Sequence, residues 1–294
     1  MIGYVEDYIL FLKKERHRTE NTIESYKRDL TQFIKYLQAQ GIDSVTDITR
    51  SNVLSFLVEL RNAGKAASTL SRTLCSIRSF LLYLLQTGVA HYDPTLNLET
   101  PPIEKKPPKI LTVQELDHLM NQPDLTQTRG LRDRAMLELL YATGIRVSEL
   151  ICLNLEHIYM RQRIMSCPDA KRRRMIPIGH SAYEALNDYI NTARPKLVTD
   201  ESQRALFVNY SGNRITRQGF WKIMKQYGRQ AGIETEITPH TLRHSFAAHL
   251  LENGADMKSI QTLMGYADIS STQVYAQFMT SNLQQVYAKS HPRA

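Results

Sequence analysis

The sequence predicts a mainly α protein, with an all-helical N-terminal domain followed by an α+β domain that holds a small antiparallel sheet. Three observations carry that expectation. Apolar residues recur at helical spacing through the first hundred positions. Residues 99–109 hold four prolines in eleven residues and show no apolar period, as an extended, semi-rigid linker does. Beyond them, short strand-like runs are embedded among further helical patterns.

In the first half, Tyr4, Ile9, Leu10 and Leu12 supply the apolar stripe of a first helix. A second opens after Thr19–Thr22, runs through Ile23, Tyr26, Leu30, Phe33, Ile34 and Leu37, and stops near Gly41. Ser51 reads as the N-cap of a third, carrying Val53, Leu54, Phe56, Leu57 and Leu60 up to Gly64. The fourth follows Lys65 with Leu70, Leu74, Ile77, Phe80, Leu81 and Leu84, and Gly88 ends it. In the second half, helices are expected at Val113–Met120, 132–140, 181–193, 217–231, Pro239–Glu252 and Met257–Met264, with strands at 163–166, 174–178 and 205–209. The resulting division is a helical domain at 1–90, a linker at 91–110 and a second domain at 111–294.

The 294 residues include 37 Lys and Arg against 29 Asp and Glu, a net charge of +8 that favours polyanions. Cys75, Cys152 and Cys167 have neither disulfide-framework nor zinc-site spacing, which suits a reducing cytoplasm. No apolar run approaches the ~20 residues of a membrane span, and the charged N-terminal residues do not read as a signal peptide. A soluble cytoplasmic protein without membrane partners is expected.

The chemistry concentrates in the second domain. Pro239 suits the first turn of a helix on which His240 and Arg243 share a face. Arg146 lies in Ala142-Thr-Gly-Ile-Arg-Val-Ser-Glu-Leu150, three residues before Glu149, whose carboxylate can orient the guanidinium. Two planar guanidinium forks can grip the non-bridging oxygens of a phosphodiester, and an imidazole can add a hydrogen bond or move a proton. A later tyrosine such as Tyr275, one of fifteen, could serve as nucleophile, provided that nearby positive charge favours its phenolate. The plainer alternative for each arginine is a helix-surface ion pair. His240 and His244 are four apart on one helix, but Thr241 stands where a zincin glutamate would be, and no third ligand suggests itself. No metal site is expected, and His244 reads as structural.

Taken in order, Arg146, His240, Arg243 and Tyr275, with the flanking residues 139–150, 238–251 and 271–275, resemble the tyrosine recombinases (phage integrase family), more narrowly the bacterial Xer chromosome-dimer resolvases. The resemblance implies the tyrosine recombinase fold, with a core-binding domain at 1–90 and the catalytic domain at 111–294. It implies a clamp around duplex DNA carrying a specific recombination site. It further implies a homo- or hetero-tetramer on DNA with a second Xer-type recombinase, and a DNA translocase as activator. Strand cleavage would pass through a 3′-phosphotyrosyl intermediate and need no cofactor.

Two positions depart from the family pattern. Tyr266 stands where the family has histidine or tryptophan against the phosphate; a phenol can donate a hydrogen bond but cannot carry positive charge. In the β-hairpin, Asp169 occupies the place of the family lysine, and Lys171 is the nearest candidate for the general acid. The alternative for 171–174 is a basic run on the DNA backbone, to which Arg172 and Arg173 are assigned. In the first domain, Lys65, Ser68, Arg72 and Arg78 on or beside the fourth helix are candidate DNA contacts, with Lys27 and Arg28 as further phosphate contacts. Two rival readings stay open: a recombinase-like DNA-binding protein with weakened or lost cleavage, and a type IB topoisomerase.

Overall fold

The structure, a computed structural model, describes residues 1–16, 18–100, 108–168, 174–200, 202–235, 237–266 and 275. The chain separates into two compact units, Met1–Lys106 and Pro107–Ala294.

The first unit packs four helices around one core: α1 (Ile2–Lys14), α2 (Glu20–Ala39), α3 (Arg50–Asn62) and α4 (Ala67–Gln86). In α1 the buried face is Val5, Tyr8 and Leu12, while Tyr4 and Leu10 are exposed. The expected stripe therefore mixed two faces. Tyr8 belongs to the core because its hydroxyl donates to Ser79 Oγ at 2.7 Å, which satisfies the one polar atom that burial would strand. α2 begins at Glu20, three residues before the expected start, with the Thr19 side chain accepting from the Thr22 N–H.

The cap of α3 is Thr49, not Ser51. Thr49 Oγ1 accepts the Asn52 N–H at 3.3 Å, and Asn52 Oδ1 accepts the Thr49 N–H at 2.8 Å. This reciprocal pair satisfies two otherwise orphaned donors, which Ser51 could not do from inside the first turn. On α4, Arg72 pairs with the buried Asp29 of α2, and Arg78 Nη2 donates to Leu98 O at 2.5 Å.

The second unit is built on α6 (Thr128–Thr143), preceded by α5 (Val113–Met120) and followed by α7 (Val147–Cys152). Next come β1 (Ile158–Tyr159), β2 (Ile164–Cys167) and β3 (Arg174–Pro177), which form an antiparallel sheet in that order. Met165 sits opposite Ile176, and both face the core. Then follow α8 (His180–Asp188), a π-helical turn at Tyr189–Ala193, α9 (Arg194–Leu197), α10 (Arg217–Gln230), α11 (Pro239–Glu252) and α12 (Met257–Met264).

Two expectations change here. The single helix at 181–193 is a longer arm that widens at Tyr189 and continues to Leu197. Its pivot is Tyr189, whose hydroxyl donates to Leu206 O at 2.9 Å and accepts the Val208 N–H at 3.3 Å. The run at 205–209 joins no sheet. It makes only isolated bridges, Asn154 with Ala205 and Val208 with Arg214, and all of Ala205–Val208 is buried. A continuously apolar run signals burial but does not by itself choose strand pairing.

α6 is buried nearly all round and carries a sealed ion pair. Arg132 Nη2 lies 2.7 Å from Asp133 Oδ1, Arg132 Nη1 donates to Val208 O at 3.1 Å, and the Tyr227 hydroxyl donates to Asp133 Oδ2 at 3.0 Å. Among the described residues, no helix is long and apolar enough to cross a membrane.

Candidate active site

α6 ends at Gly144, whose φ of 59° lies in the left-handed region. A Cβ there would also come within 2.3 Å of the Phe246 ring, so glycine is required twice over. The turn it makes delivers Arg146 to the N-terminal edge of α7. Glu149 then reaches back: its Oε2 accepts the Arg146 N–H at 2.6 Å, and its Oε1 lies 3.2 Å from Arg146 Nη1. Glu149 thus both caps α7 and orients the guanidinium. Arg146 Nη2 donates to Gly265 O at 3.3 Å, which ties this arginine to the segment after α12.

α11 supplies the other two groups. Thr238 and Thr241 form a reciprocal cap, and Pro239 occupies the first turn, where no N–H is needed. One turn in, Arg243 is 3% exposed. Its Nη1 donates to Gly144 O and its Nη2 to Met264 O at 2.6 Å. These carbonyls belong to the C-terminal ends of α6 and α12, where helix dipoles favour a cation.

Arg146, His240 and Arg243 line one cleft of about 660 Å³. Arg217, Gln218 and Trp221 of α10, with Ser148, complete its polar and aromatic wall. Arg217 and Gln218 were not singled out from the sequence, where Trp221 reads as core, although it is exposed here. A helix whose apolar face is buried leaves Arg217, Gln218 and Trp221 exposed, and only the tertiary fold turns them towards Arg146.

The cleft favours the neutral form of its own histidine. Burial, then the charges of Arg243, Arg217 and Arg146, push the His240 pKa down. Such an imidazole can donate to an oxyanion through one nitrogen and accept a proton on the other. Burial likewise pushes the Arg243 pKa down, while Tyr266 opposes that shift. The Tyr266 ring lies 5.9 Å from the Arg146 guanidinium carbon and 4.9 Å from that of Arg243. The phenol at the unusual position therefore spans both arginines by cation–π contact.

Tyr275 sits elsewhere. It is fully buried in an apolar cluster with Phe246, Leu251, Ile260 and Met264, and does not line the cleft. Its hydroxyl lies 2.5 Å from His244 Nδ1. Nearby positive charge, from Arg243, favours the Tyr275 phenolate in this conformation, but it is not the largest influence. Burial first, then Tyr266, push the Tyr275 pKa well up, and the lowering effect of Arg243 does not offset them.

His244, read as structural from the sequence, touches this candidate nucleophile. Its own pKa falls to about 4, through burial and the neighbouring His240 and Arg243. His249 is bound to the Tyr141 hydroxyl at 2.9 Å, and no cluster of three His, Cys, Asp or Glu suited to a metal is found among the described residues.

Asp169, Lys171, Arg172 and Arg173 lie outside the described residues. Lys65 and Ser68 are exposed, as are Lys27 and Arg28. Arg72 and Arg78 are half-buried, and both make the internal contacts given above, which a reading of α4 as a simple DNA-facing surface does not anticipate.

Residues 109–281 match the phage integrase family, and residues 5–88 match its N-terminal SAM-like domain. The tyrosine recombinase XerD of Halalkalibacterium halodurans is 44% identical over 99% of this chain and 98% of its own length. The XerD of Listeria monocytogenes is 42% identical over the whole of both. Among solved structures, XerH recombinase bound to a palindromic difH substrate superposes with a TM-score of 0.77 at 19% identity, covering 98% of this chain and 84% of that one. A lambda integrase dimer bound to a core site gives 0.73 at 17% identity, covering 95% of each. These two likenesses concern the fold. The family match and the full-length identity to XerD proteins place this chain in the phage integrase family of tyrosine recombinases, among its XerD-like members.

Proposed function

We infer that this chain is a site-specific DNA recombinase that cuts and rejoins duplex DNA through a 3′-phosphotyrosyl intermediate, and that it resolves chromosome or plasmid dimers. The observation that carries the reading is the convergence of Arg146, His240 and Arg243 on one cleft, from segments almost a hundred residues apart in sequence. In that cleft the two guanidinium groups grip the non-bridging oxygens of the scissile phosphate, and Glu149 holds one of them in plane. Tyr275 Oη attacks phosphorus while the bond to the 5′-oxygen breaks. The phenol proton passes to a neighbouring base, and the leaving oxygen is protonated by a cationic acid, the role given to Lys171. Religation is the reverse of these steps.

The assembly proposed on DNA is a tetramer with a second Xer-type recombinase, started by a DNA translocase. Lys65, Ser68, Arg72, Arg78, Arg172 and Arg173 are proposed DNA contacts. The chemistry of the named residues supplies every proton and charge without a cofactor.

The test is a suicide duplex, nicked beside the scissile phosphate and built on the sequence that the full chain selects from a random duplex library. Wild type should form a covalent adduct, and Tyr275→Phe should not. Burial of Tyr275 away from the cleft favours a second reading, a recombinase-like protein that binds DNA but does not cleave it. Tight site binding with no adduct from wild type selects that reading.

A further inference from the structure

Arg174, at the start of β3, is a further guanidinium behind the Arg146 side of the cleft, and it faces inward. Its side chain is only 9% exposed, and its Nη2 lies 2.6 Å from the same Glu149 Oε1 that pairs with Arg146. The same nitrogen is 3.1 Å from Cys167 Sγ across the sheet. Its other end packs under the backbone of Gly265: a Cβ on that glycine would lie 1.2 Å from Arg174 Nη1. Gly265 O in turn accepts from Arg146.

Arg174 therefore touches both things that hold Arg146, the carboxylate on one side and the Gly265 peptide on the other. Its remaining donors, Nε and Nη1, are buried without a hydrogen-bond partner among the described residues. Burying an unsatisfied guanidinium edge costs stability. A neutral side chain of that length would fill the space without the cost, so packing alone does not account for an arginine here.

We propose that Arg174 is a positioning residue for Arg146: by sharing Glu149 and supporting Gly265, it fixes the plane in which the Arg146 guanidinium meets the scissile phosphate. The inference rests on the recombinase reading above. Glu149 Oε2 is fixed by the Arg146 N–H, but without Arg174 its Oε1 would have only the 3.2 Å contact to Arg146 Nη1. With Oε1 held from behind by a second cation, the carboxylate has one orientation, and so does the arginine it carries. Outer contacts of this kind are worth roughly 10–100-fold in activity when they orient a metal ligand, and the same scale is expected for an oriented guanidinium.

The experiment measures single-turnover adduct formation on the suicide duplex, site affinity and thermal melting for Arg174→Met and Arg174→Lys. Arg174→Met should slow adduct formation about 10–100-fold with site affinity within about threefold of wild type. In a Glu149→Gln background the same change should have almost no further effect. Arg174→Lys, which keeps a charge within reach of Glu149, should recover part of the loss. A wild-type rate for Arg174→Met, or an undiminished loss in the Glu149→Gln background, overturns the proposal. If Arg174→Met does not fold, a rate for Arg174→Lys equal to wild type overturns it, and an intermediate rate supports it.

If wild type itself forms no adduct, the recombinase reading fails separately. The positioning is then read from the Arg146 Nε–H resonance of ¹⁵N-labelled protein. That signal should be sharp in wild type and broadened by Arg174→Lys; an unchanged signal overturns the inference.

Discussion

His244 Nδ1 lies 2.5 Å from the phenolic oxygen of Tyr275, at the edge of the apolar cluster that buries the tyrosine. The imidazole is neutral at physiological pH, since its pKa falls to about 4, while burial and Tyr266 keep the phenol protonated. Tyr275 does not line the cleft with Arg146 and Arg243, and for it to reach a phosphate there the contact must be broken.

His244→Ala should therefore separate stability from reactivity. The buried hydroxyl loses its partner, at about 1–3 kcal/mol of folding stability. Release of Tyr275 becomes easier, so single-turnover adduct formation should be equal to or faster than wild type at a temperature where the variant is folded. A slower adduct would instead make His244 the acceptor of the phenol proton during attack.

The same imidazole predicts a pH dependence. A histidine whose folded pKa is about 4, against 6.5 unfolded, binds fewer protons in the folded state between those values. Stability should thus rise with pH from about 4 to 6.5 and be fully present above that window, with His240 acting in the same direction. The difference between wild type and His244→Gln in denaturant midpoint, taken across pH 4.5 to 7.5, isolates this contribution. A flat difference profile would contradict it.

Arg146 and Arg243 should respond differently to truncation. The Arg146 side chain is 38% exposed, so Arg146→Ala should cost roughly 10²–10³ in cleavage rate while melting close to wild type. Arg243→Ala strands the Gly144 and Met264 carbonyls as well, so it should lose activity and about 1–3 kcal/mol for each. Equal melting temperatures for the two variants would be the contrary result.

Asp133→Ala should be a pure stability variant. It leaves the buried Arg132 charge and the Tyr227 hydroxyl without their carboxylate, a change of about 3–5 kcal/mol. Where the variant is still folded, its adduct rate should match wild type. Calorimetry and the suicide duplex together check this.

For the hairpin, Lys171→Ala should slow cleavage far more than Arg173→Ala. A duplex whose scissile 5′-oxygen is replaced by sulfur, a leaving group that needs no proton, should restore Lys171→Ala. Mild, equal effects would assign the basic run to backbone contact alone.

Much of the fold was legible where a helix advertises its own ends. Val113–Met120, Pro239–Glu252 and Met257–Met264 begin after Thr112, Thr238 and Asp256, and each of these side chains caps a backbone N–H. Ser51 misled because Thr49, two residues earlier, has its capping partner at Asn52 and wins on geometry. The run at 205–209 misled because its four buried residues serve the core, not a ladder.

In the site, Arg146 and Glu149 are three apart on one turn and could be paired by inspection. Arg174 and His244 could not. Their partners stand 25 and 31 residues away, and only the folded chain sets them side by side.

Arg243 bridges two helix ends with one planar group, and this has a bearing on how the protein meets its substrate. The carbonyls of Gly144 and Met264 hold the guanidinium rigid before any ligand arrives. An incoming phosphate then finds a donor already aimed, and little conformational entropy remains to be lost on contact. Discrimination among DNA sequences consequently falls to other surfaces, since this anchor greets every phosphodiester alike.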